Sequence, residues 1–265
     1  MLPFTLLVNS TDGYADCWEP FFRLMAAYWP DYQADVVLNA ETKTYAQPGL
    51  RIRCTQNAQG FGGKHPTWTQ ALQYALAQVP TDLVLYVQED YFLKAPVQHQ
   101  VLISLAEAMQ RHQITYLGLT PGGNQGPFTP SGFDERLWQV SRQDKYRISL
   151  QACMFSKSRF ARYLRLHENP WHFEYYGNIR ARRTQDSFYT LNRDLFGPEN
   201  QVFPYDMTGI VSRQWKRDVV EDLFAHHGIS VDYAKRGWFG EDPPVERFEA
   251  PWSINKVVGL IKSLV

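Results

Sequence analysis

Cysteine is scarce in this 265-residue chain, which contains three, Cys17, Cys54 and Cys153, far apart and without a CxxC pair. A disulfide framework or a thiolate metal site is therefore not expected, and a reducing cytoplasm is the simplest compartment. Long apolar runs are also missing, since no stretch approaches the roughly 18 residues of a membrane span. The first ten residues lack a basic start, so they predict a β-strand rather than a signal peptide.

The chain has no excess of either charge, because 27 Lys and Arg balance 27 Asp and Glu. A generally basic nucleic-acid binder is therefore not expected. Several sequence motifs are absent as well. There is no HExxH for zinc, no GxSxG for a serine hydrolase and no GxGxxG after the first strand for a dinucleotide. The glycine-rich run at residues 60–65 is no P-loop, because His65 follows Lys64 where Ser or Thr is required.

Aromatic residues are abundant, with 8 Trp, 15 Tyr and 16 Phe. Some must fill the core, but this many rings also suits stacking on sugars or bases. Short apolar runs at 3–8, 34–38, 50–54, 82–87 and 114–119 alternate with helical patterns. This alternation predicts a single α/β domain with a largely parallel sheet, whose ligands bind beyond the carboxyl ends of the strands. Thr67 is the predicted N-cap of an amphipathic helix at 68–79.

An acidic pair, Glu89 and Asp90, directly follows the apolar strand at 82–87. Adjacent carboxylates at a strand end are costly to bury without a cation. A hard divalent ion, Mg²⁺ or Mn²⁺, prefers such oxygen ligands, and a diphosphate can complete its coordination. The pair therefore indicates either a metal site or a solvated acidic turn.

The segment 67–93 resembles bacterial glycosyltransferases of the GT-A fold, in which a helix, a strand and an acidic motif follow one another. Segments 149–157, 169–180, 209–216 and 228–237 are similar to the same group in order and spacing. The resemblance implies a GT-A-like, Rossmann-type mixed sheet flanked by helices in a single domain. It also implies a Mn²⁺- or Mg²⁺-bound nucleotide sugar, held by Asp90 and Glu89, although Gln88–Tyr91 departs from a strict Asp-X-Asp motif.

Sugar transfer by an inverting enzyme needs a carboxylate that takes the acceptor's proton. Glu174 is the leading candidate, because it lies at the start of a predicted helix among aromatic residues that can raise its pKa. The alternative is that Glu174 caps the helix or pairs with Arg180 or Arg182. Asp186 and Asp134 are the reserve candidates, and a retaining enzyme would need no such base.

Neutralisation of the donor diphosphate calls for cations, and Lys216 and Arg236 are the candidates, with Lys235 and Arg213 nearby. Arginine forks onto phosphate, whereas lysine acts as a point charge. The alternative for each is an ordinary solvated surface charge.

Other residues are implicated in donor binding by the resemblance. Asn9, Ser10 and Asp12 follow the first strand, where the resembled fold borders the nucleoside, although these residue types also favour ordinary turns. The resemblance places Lys64 and Trp68 near the donor sugar, and the alternative for Trp68 is packing in the core.

We expect residues 1–250 to form the transferase domain, with a nucleotide-binding part at about 1–120 and an acceptor part at about 121–250. Residues 251–265 are weakly amphipathic with two lysines, and predict a helix that docks on the domain or contacts a membrane surface.

The leading hypothesis is a hexosyltransferase that moves a sugar from UDP to a glycan or lipid-linked acceptor in surface polysaccharide synthesis. A non-catalytic carbohydrate- or nucleotide-binding module remains an alternative. So does a glycoside hydrolase that uses the acidic pair and Glu174.

Overall fold

The structure, a computed structural model, describes residues 2–243 and Ser263. Within these residues the α-helices are Trp18–Tyr28 (α1), Trp68–Ala77 (α2), His99–Arg111 (α3), Lys157–Tyr163 (α4), Pro170–Arg182 (α5) and Arg217–His226 (α6). The strands are Phe4–Asn9 (β1), Asp35–Asn39 (β2), Arg51–Cys54 (β3), Leu83–Gln88 (β4), Tyr116–Gly118 (β5), Phe128–Pro130 (β6), Leu137–Val140 (β7), Cys153–Ser156 (β8), Phe188–Leu191 (β9), Ile210–Val211 (β10) and Gln214–Trp215 (β11).

Nine of these strands form one mixed sheet in the order β3-β2-β1-β4-β8-β5-β9-β7-β6. The first four run parallel to one another. Strand β8 lies antiparallel between β4 and β5, β9 is parallel to β5, and β7 and β6 complete the far edge with antiparallel pairs. The expected boundary near residue 120 therefore runs through one continuous sheet, because β8 is inserted between two earlier strands.

Helices cover both faces of the sheet, and alternate residues of β1 show this directly. Leu6 and Val8 belong to the hydrophobic cluster that contains α1 and α3, whereas Leu7 belongs to the cluster that contains α2 and α5. A strand that is buried on both faces reads as a continuous apolar run, which is why β1 and β4 are evident in the sequence. The prediction of an α/β fold with a mixed sheet flanked by helices is confirmed.

Side-chain hydrogen bonds fix the starts of helices α2 and α5. At α2, the Thr67 hydroxyl accepts from the Gln70 amide, and the Gln70 side chain accepts from the Thr67 amide, which completes a capping box. At α5, the Asn169 side chain accepts from the amide of His172, and proline occupies the first turn. The predicted N-cap at Thr67 is confirmed.

Three features of the second half carry little signal in the sequence. Residues 210–215 form the β10–β11 hairpin with Ser212 and Arg213 at positive φ, so α6 begins only at Arg217. Strand β8 is restricted to four residues. Short strands β6, β7 and β9 were not anticipated, because three or four residues carry little periodicity.

The predicted C-terminal helix at 251–265 lies outside the described residues, except for Ser263, whose carbonyl accepts from the Arg180 guanidinium at 2.9 Å. Among the residues described, no helix has the length and apolar character to cross a membrane. All three cysteines are free thiols.

Candidate active site

The acidic pair Glu89–Asp90 occupies the turn that follows β4, at the carboxyl edge of the parallel strands. The register aligns Gln88 with Asn9 at the end of β1, and Asn9 with Asn39 at the end of β2. Polar residues therefore converge where three strands end, which is the usual ligand position in a sheet of this kind.

Both carboxyl groups of the pair are buried, since each residue is only 7% exposed. Burial, followed by the charge of Asp90, raises the pKa of Glu89 well above its usual value. Burial also raises the pKa of Asp90 to about 6, although the hydrogen bond from Thr208 opposes the shift. Asp90 Oδ1 is buried and has no hydrogen-bond partner among the described residues. The alternative of a solvated acidic turn is therefore wrong.

The chain around Thr208 and Gly209 covers this turn. The Thr208 hydroxyl donates to Asp90 Oδ2, and the Gly209 amide donates to the Asp90 carbonyl at 2.9 Å. Thr208 itself has a positive φ of 50°, an uncommon conformation for a β-branched residue. Such strain at a buried polar contact is typical of functional sites. No sequence pattern points to Thr208, because its role depends on a contact with Asp90, which lies 118 residues earlier in the chain.

The acidic turn can hold a metal ion only if the substrate supplies some of the ligands. Carboxylate oxygens suit Mg²⁺ or Mn²⁺, and the unpartnered Asp90 Oδ1 is an available ligand. Within the described part of the chain, however, no cluster of three or more His, Cys, Asp or Glu groups could enclose a metal ion. Asp90 and Glu89 would therefore contribute at most two protein ligands, and diphosphate and water oxygens would supply the others.

Arg236 is buried beside the acidic pair and is held by a carboxylate of its own. Its guanidinium forms a two-pronged ion pair with Asp16, with N–O distances of 2.7 and 2.6 Å, and donates to the carbonyls of Gly13 and Arg213. It is 6% exposed, so it is no solvated surface charge. The positive charge of Arg236 also lowers the pKa of both Glu89 and Asp90, against the larger effect of burial. Arg236 thus acts on the pair electrostatically while most of its hydrogen-bond donors are engaged.

Glu174 lies at the same edge of the sheet as the acidic pair. Its Oε1 accepts from the Leu150 amide at 2.7 Å, and the Leu150 carbonyl accepts from the Tyr91 hydroxyl at 3.2 Å. Leu150 precedes β8, which runs antiparallel to β4, so this segment emerges beside the carboxyl end of β4. One residue therefore links Glu174 to the residue that follows Asp90.

The electrostatics of Glu174 suit a proton acceptor. Burial raises its pKa, although the hydrogen bonds from Leu150 and Ser149 oppose the shift. The alternative ion pairs do not form, because Arg180 pairs with Glu168, and Arg182 donates to the Asp144 carbonyl. Among the described residues, the hydrogen bonds to the Glu174 carboxylate end on Oε1, which leaves Oε2 as the oxygen that can take a proton.

A cavity of about 440 Å³ lies against Glu174. Tyr146, Trp171 and Tyr175 contribute half-exposed rings to its wall, at 40%, 46% and 45% exposure. The remaining lining residues are Lys145, Asn178, Ile179 and Arg182. Its volume lies in the range of small-molecule sites, and aromatic faces beside a few polar groups are typical of carbohydrate contacts.

The turn after β1 is polar and well connected. The Asn9 amide oxygen accepts from Asn39 at 3.0 Å, and the Ser10 hydroxyl accepts from the Trp18 indole at 2.7 Å. Asp12 accepts from the backbone amides of residues 41–43 and from the Thr42 hydroxyl. These bonds outweigh burial and lower the pKa of Asp12. Asp12 therefore fastens the loop after β2 to the turn after β1.

A buried amide chain extends this turn, and the sequence interpretation missed it. Asn57 donates to Asn39, which in turn donates to Asn9, while the buried Asn57 Oδ1 has no partner in the described part of the chain. Asn39 follows an apolar strand just as Asn9 does, so the same strand-end reasoning would have found it. Asn57 begins a short 3-10 helix, Asn57–Phe61, in a glycine-rich stretch that carries no such signal.

The remaining donor-site candidates are more dispersed. Lys64 is exposed in the loop after β3. Trp68 packs on Phe173 with ring centroids 5.6 Å apart, and its buried indole nitrogen lacks a hydrogen-bond partner. Lys216 forms an ion pair of 3.2 Å with Asp218 and lines a separate cavity of about 410 Å³ on α6. Its backbone amide donates to Gly209, so only the main chain of Lys216 lies close to the acidic turn.

The two reserve bases are not brought to this site. Asp186 precedes β9, which is in register with β4 through β8 and β5, so it lies near the level of Asp82 at the opposite edge of the sheet. That is about 20 Å from Glu89 along the strand direction alone. Asp134 lies at the carboxyl edge beside β7, four strands from β4, and its carboxylate is bound by Arg136 at 2.6 Å.

No protein-family profile matches the chain, and no curated protein matches it either. Solved structures that match include residues 1–349 of S. aureus TarS, at 14% identity with a TM-score of 0.44, covering 71% of this chain. This chain spans 60% of that one, less than two thirds of its length.

Two further matches are synthases of phosphoglycerate derivatives. One is glucosyl-3-phosphoglycerate synthase from Mycobacterium tuberculosis in complex with Mn²⁺ and UDP-glucose, at 13% identity and a TM-score of 0.32, covering 44% of this chain and 43% of that one. The other is mannosyl-3-phosphoglycerate synthase from Rubrobacter xylanophilus, at 12% identity and a TM-score of 0.36, covering 59% and 54%. Because these TM-scores are below 0.5, the functional proposal rests on the residues of the site.

Proposed function

We propose that this chain is a glycosyltransferase that moves a hexosyl group from a nucleotide-diphosphate donor, with UDP as the expected nucleotide, to a hydroxyl of a glycan or lipid-linked acceptor. The observation that carries the proposal is the buried Glu89–Asp90 pair at the carboxyl edge, with one carboxylate oxygen lacking a partner. A structural ion pair would have supplied a direct partner for that oxygen, whereas a ligand-binding site leaves it available.

Asp90 and Glu89 would hold Mn²⁺ or Mg²⁺, which would supply positive charge to the diphosphate leaving group. Arg236 already biases this pair toward its ionised form. The Asn9–Asn39–Asn57 chain, Ser10 and Asp12 border the same strand ends, and we assign the nucleoside to them. Lys64, in the loop after β3, and Trp68, at the start of α2, would approach the donor sugar. The side chain of Lys216 is paired with Asp218 at a separate cavity, so we assign it no contact with the diphosphate.

We assign the acceptor to the aromatic cavity beside Glu174. In an inverting transfer, the acceptor oxygen attacks the anomeric carbon, the bond from that carbon to the diphosphate oxygen breaks, and the diphosphate leaves with the bonding electrons. The acceptor's proton passes to Glu174 Oε2, while the Leu150 amide fixes Oε1. The setting that we propose is surface polysaccharide synthesis at the cytoplasmic face of a membrane, which residues 251–265 would contact through their amphipathic pattern.

The test is a donor panel of UDP-, GDP- and CDP-hexoses with Mn²⁺ and oligosaccharide acceptors, in which nucleotide release and product configuration are measured. The proposal requires acceptor-dependent nucleotide release with inversion at the anomeric carbon. Retention of configuration would remove the base role of Glu174. Saturable nucleotide binding without product would favour the binding module, and sugar release from a glycan without nucleotide would favour the hydrolase.

A further inference from the structure

A third cavity, distinct from those beside Glu174 and Lys216, lies on the side of the molecule opposite to the acidic turn. We call it the arginine pocket, and its volume is about 340 Å³. It is lined by Arg162, Tyr163, Arg165, Arg180, Arg183, Thr184 and Asp186. The Lys157 amide at the start of α4 donates to the Asp82 carbonyl, just before β4 begins. The pocket therefore opens at the amino-terminal edge of the sheet, away from Glu89 and Asp90.

The carboxylates of the pocket are already neutralised. Asp186 accepts from the Arg159 guanidinium at 2.5 Å and from the Tyr163 hydroxyl at 2.9 Å. Glu168, which lies behind the pocket wall, binds both terminal nitrogens of Arg180 at 2.5 and 2.6 Å. Neither acidic group is therefore available to balance further positive charge.

Three guanidinium groups remain without a carboxylate of their own. Among the described residues, no Asp or Glu oxygen lies within 4.0 Å of Arg165 or Arg183, and Arg162 reaches only the occupied Asp186, at 3.7 Å. Arg165 is half-buried, and its burial and then the charge of Arg180 lower its pKa. The chain as a whole has no net charge, so this concentration of positive charge is local.

The ends of two helices explain only part of this arrangement. Arg162 lies in the last turn of α4, and Arg183 directly follows α5, where cations are favourable. Each helix carboxyl end carries about half a negative charge, and three guanidiniums exceed that sum. Arg180 is 7% exposed, and its buried Nε has no partner among the residues that the structure describes, so the wall also contains an unsatisfied donor.

We propose that the arginine pocket binds a phosphate group, supplied either by a soluble phosphate compound or by a phospholipid headgroup. Guanidinium groups match the oxygens of phosphate with paired hydrogen bonds, and several of them around one cavity form a site for a single tetrahedral anion. Arg162 and Arg183 provide the exposed contacts, Arg165 the half-buried one, and Arg180 the rigid wall.

The test compares the double variant Arg162→Gln/Arg183→Gln with the control Arg51→Gln/Arg111→Gln, which removes the same charge from exposed arginines on β3 and α3. The melting temperature of each full chain is measured with inorganic phosphate and with chloride at equal ionic strength. EDTA is present so that the acidic turn holds no metal. The quantity compared is the rise in melting temperature that phosphate produces. The loss of a favourable charge at a helix end changes the melting temperature equally with and without phosphate, so it does not alter this rise.

At ten times its dissociation constant, phosphate is expected to raise the melting temperature of the wild type and the control by about 3 to 6 °C. The pocket variant should lose nearly all of this shift. An equal shift in the pocket variant, or no difference between phosphate and chloride in the wild type, would overturn the proposal. Cosedimentation with phosphatidylglycerol vesicles that the pocket variant loses would identify the headgroup as the source. A phosphate shift without cosedimentation would identify a soluble compound.

Discussion

Glu174 and Leu150 are joined by a 2.7 Å hydrogen bond from the Leu150 amide to the Glu174 carboxylate, which fastens α5 to the segment in front of β8. Because Leu150 also accepts from Tyr91, the bond fixes the carboxylate relative to the turn that carries Asp90. The candidate base and the candidate metal ligands therefore come from distant parts of the sequence but share one edge of the sheet.

Replacement of Glu174 by Gln should abolish transfer while preserving the fold. The amide oxygen can still accept from Leu150, but it cannot take a proton, so kcat should fall by about 100-fold or more. The KM for the nucleotide sugar should stay within about two-fold, because Glu174 faces the acceptor cavity. Steady-state kinetics with saturating acceptor checks both values.

Glu107→Gln makes the same chemical change on the exposed face of α3 and should leave kcat unaltered. Glu174→Ala also removes the acceptor for Leu150, and should cost about 1 to 2 kcal/mol of stability beyond the Gln variant. A Glu174→Gln enzyme that retained more than about one-tenth of the wild-type kcat would exclude Glu174 as the base.

Asp90→Asn should stabilise the metal-free protein at neutral pH. Burial raises the folded-state pKa of Asp90 from 3.8 to about 6, so the folded state binds its proton more tightly than the unfolded chain does. The contribution of Asp90 to the free energy of unfolding therefore falls as the pH rises from about 4 to about 6. Above that window, the ionised carboxylate destabilises the folded protein. The Asn variant should gain roughly 1 to 3 kcal/mol at pH 7.5, and urea unfolding measures this gain.

The gain of the Asn variant should vanish below pH 4, where Asp90 is protonated in both states. Asp31→Asn, an exposed site, should show no comparable gain at either pH. An Asp90→Asn protein that was less stable than the wild type at pH 7.5 would show that the carboxylate is held by favourable contacts, contrary to its unpartnered oxygen.

Binding of Mn²⁺ with nucleotide should strengthen as the pH rises through about 6. The pKa of Asp90, raised by burial to about 6, means that protons compete with the metal below that pH, and the raised pKa of Glu89 adds to this competition. Calorimetric titration at pH 5.0, 6.0 and 7.5 measures the change, which should approach ten-fold per pH unit at the acidic end. A pH-independent affinity would indicate that neither carboxylate is a ligand.

Arg236→Ala should be strongly destabilising, because it leaves Asp16 largely buried without its partner. Removal of one member of a buried pair costs about 3 to 5 kcal/mol, and the partial exposure of Asp16 places the expected loss near the lower end. The control Arg51→Ala breaks an exposed pair with Asp35 and should cost less than about 1 kcal/mol. Equal losses in urea unfolding would show that burial of Arg236 contributes nothing.

The sequence predicted the part of the fold that is built from continuous apolar patterns. Strands β1 and β4 are buried on both faces, and α2 carries a capping box, so each is evident without tertiary information. The β10–β11 hairpin was hidden because Ser212 and Arg213 adopt positive φ without glycine. Strands β7 and β9 are too short for their periodicity to be recognised.

In the candidate site, the polar residues at strand ends were predictable from the sequence, whereas their hydrogen-bond and ion-pair partners from distant parts of the chain were not. Glu89, Asp90 and Asn9 follow apolar runs, so their position was evident from the sequence alone. That Arg236 binds Asp16, and that Asp186 faces the opposite edge, depends on contacts or register over many residues. A local sequence pattern cannot predict which arginine or lysine pairs with which carboxylate, because these pairs form between residues that only the tertiary structure brings together.

The most direct test of the account is the melting temperature of the wild type and of Asp90→Asn with UDP, GDP and CDP, each with and without Mn²⁺. A ligand at a hundred times its dissociation constant adds about 2.7 kcal/mol, which is a shift of several degrees for a chain of this size. We predict a shift with one nucleotide that requires Mn²⁺ and is lost in Asp90→Asn. No shift with any nucleotide at millimolar concentration, or an equal shift in Asp90→Asn, would contradict a metal-diphosphate site at the acidic turn.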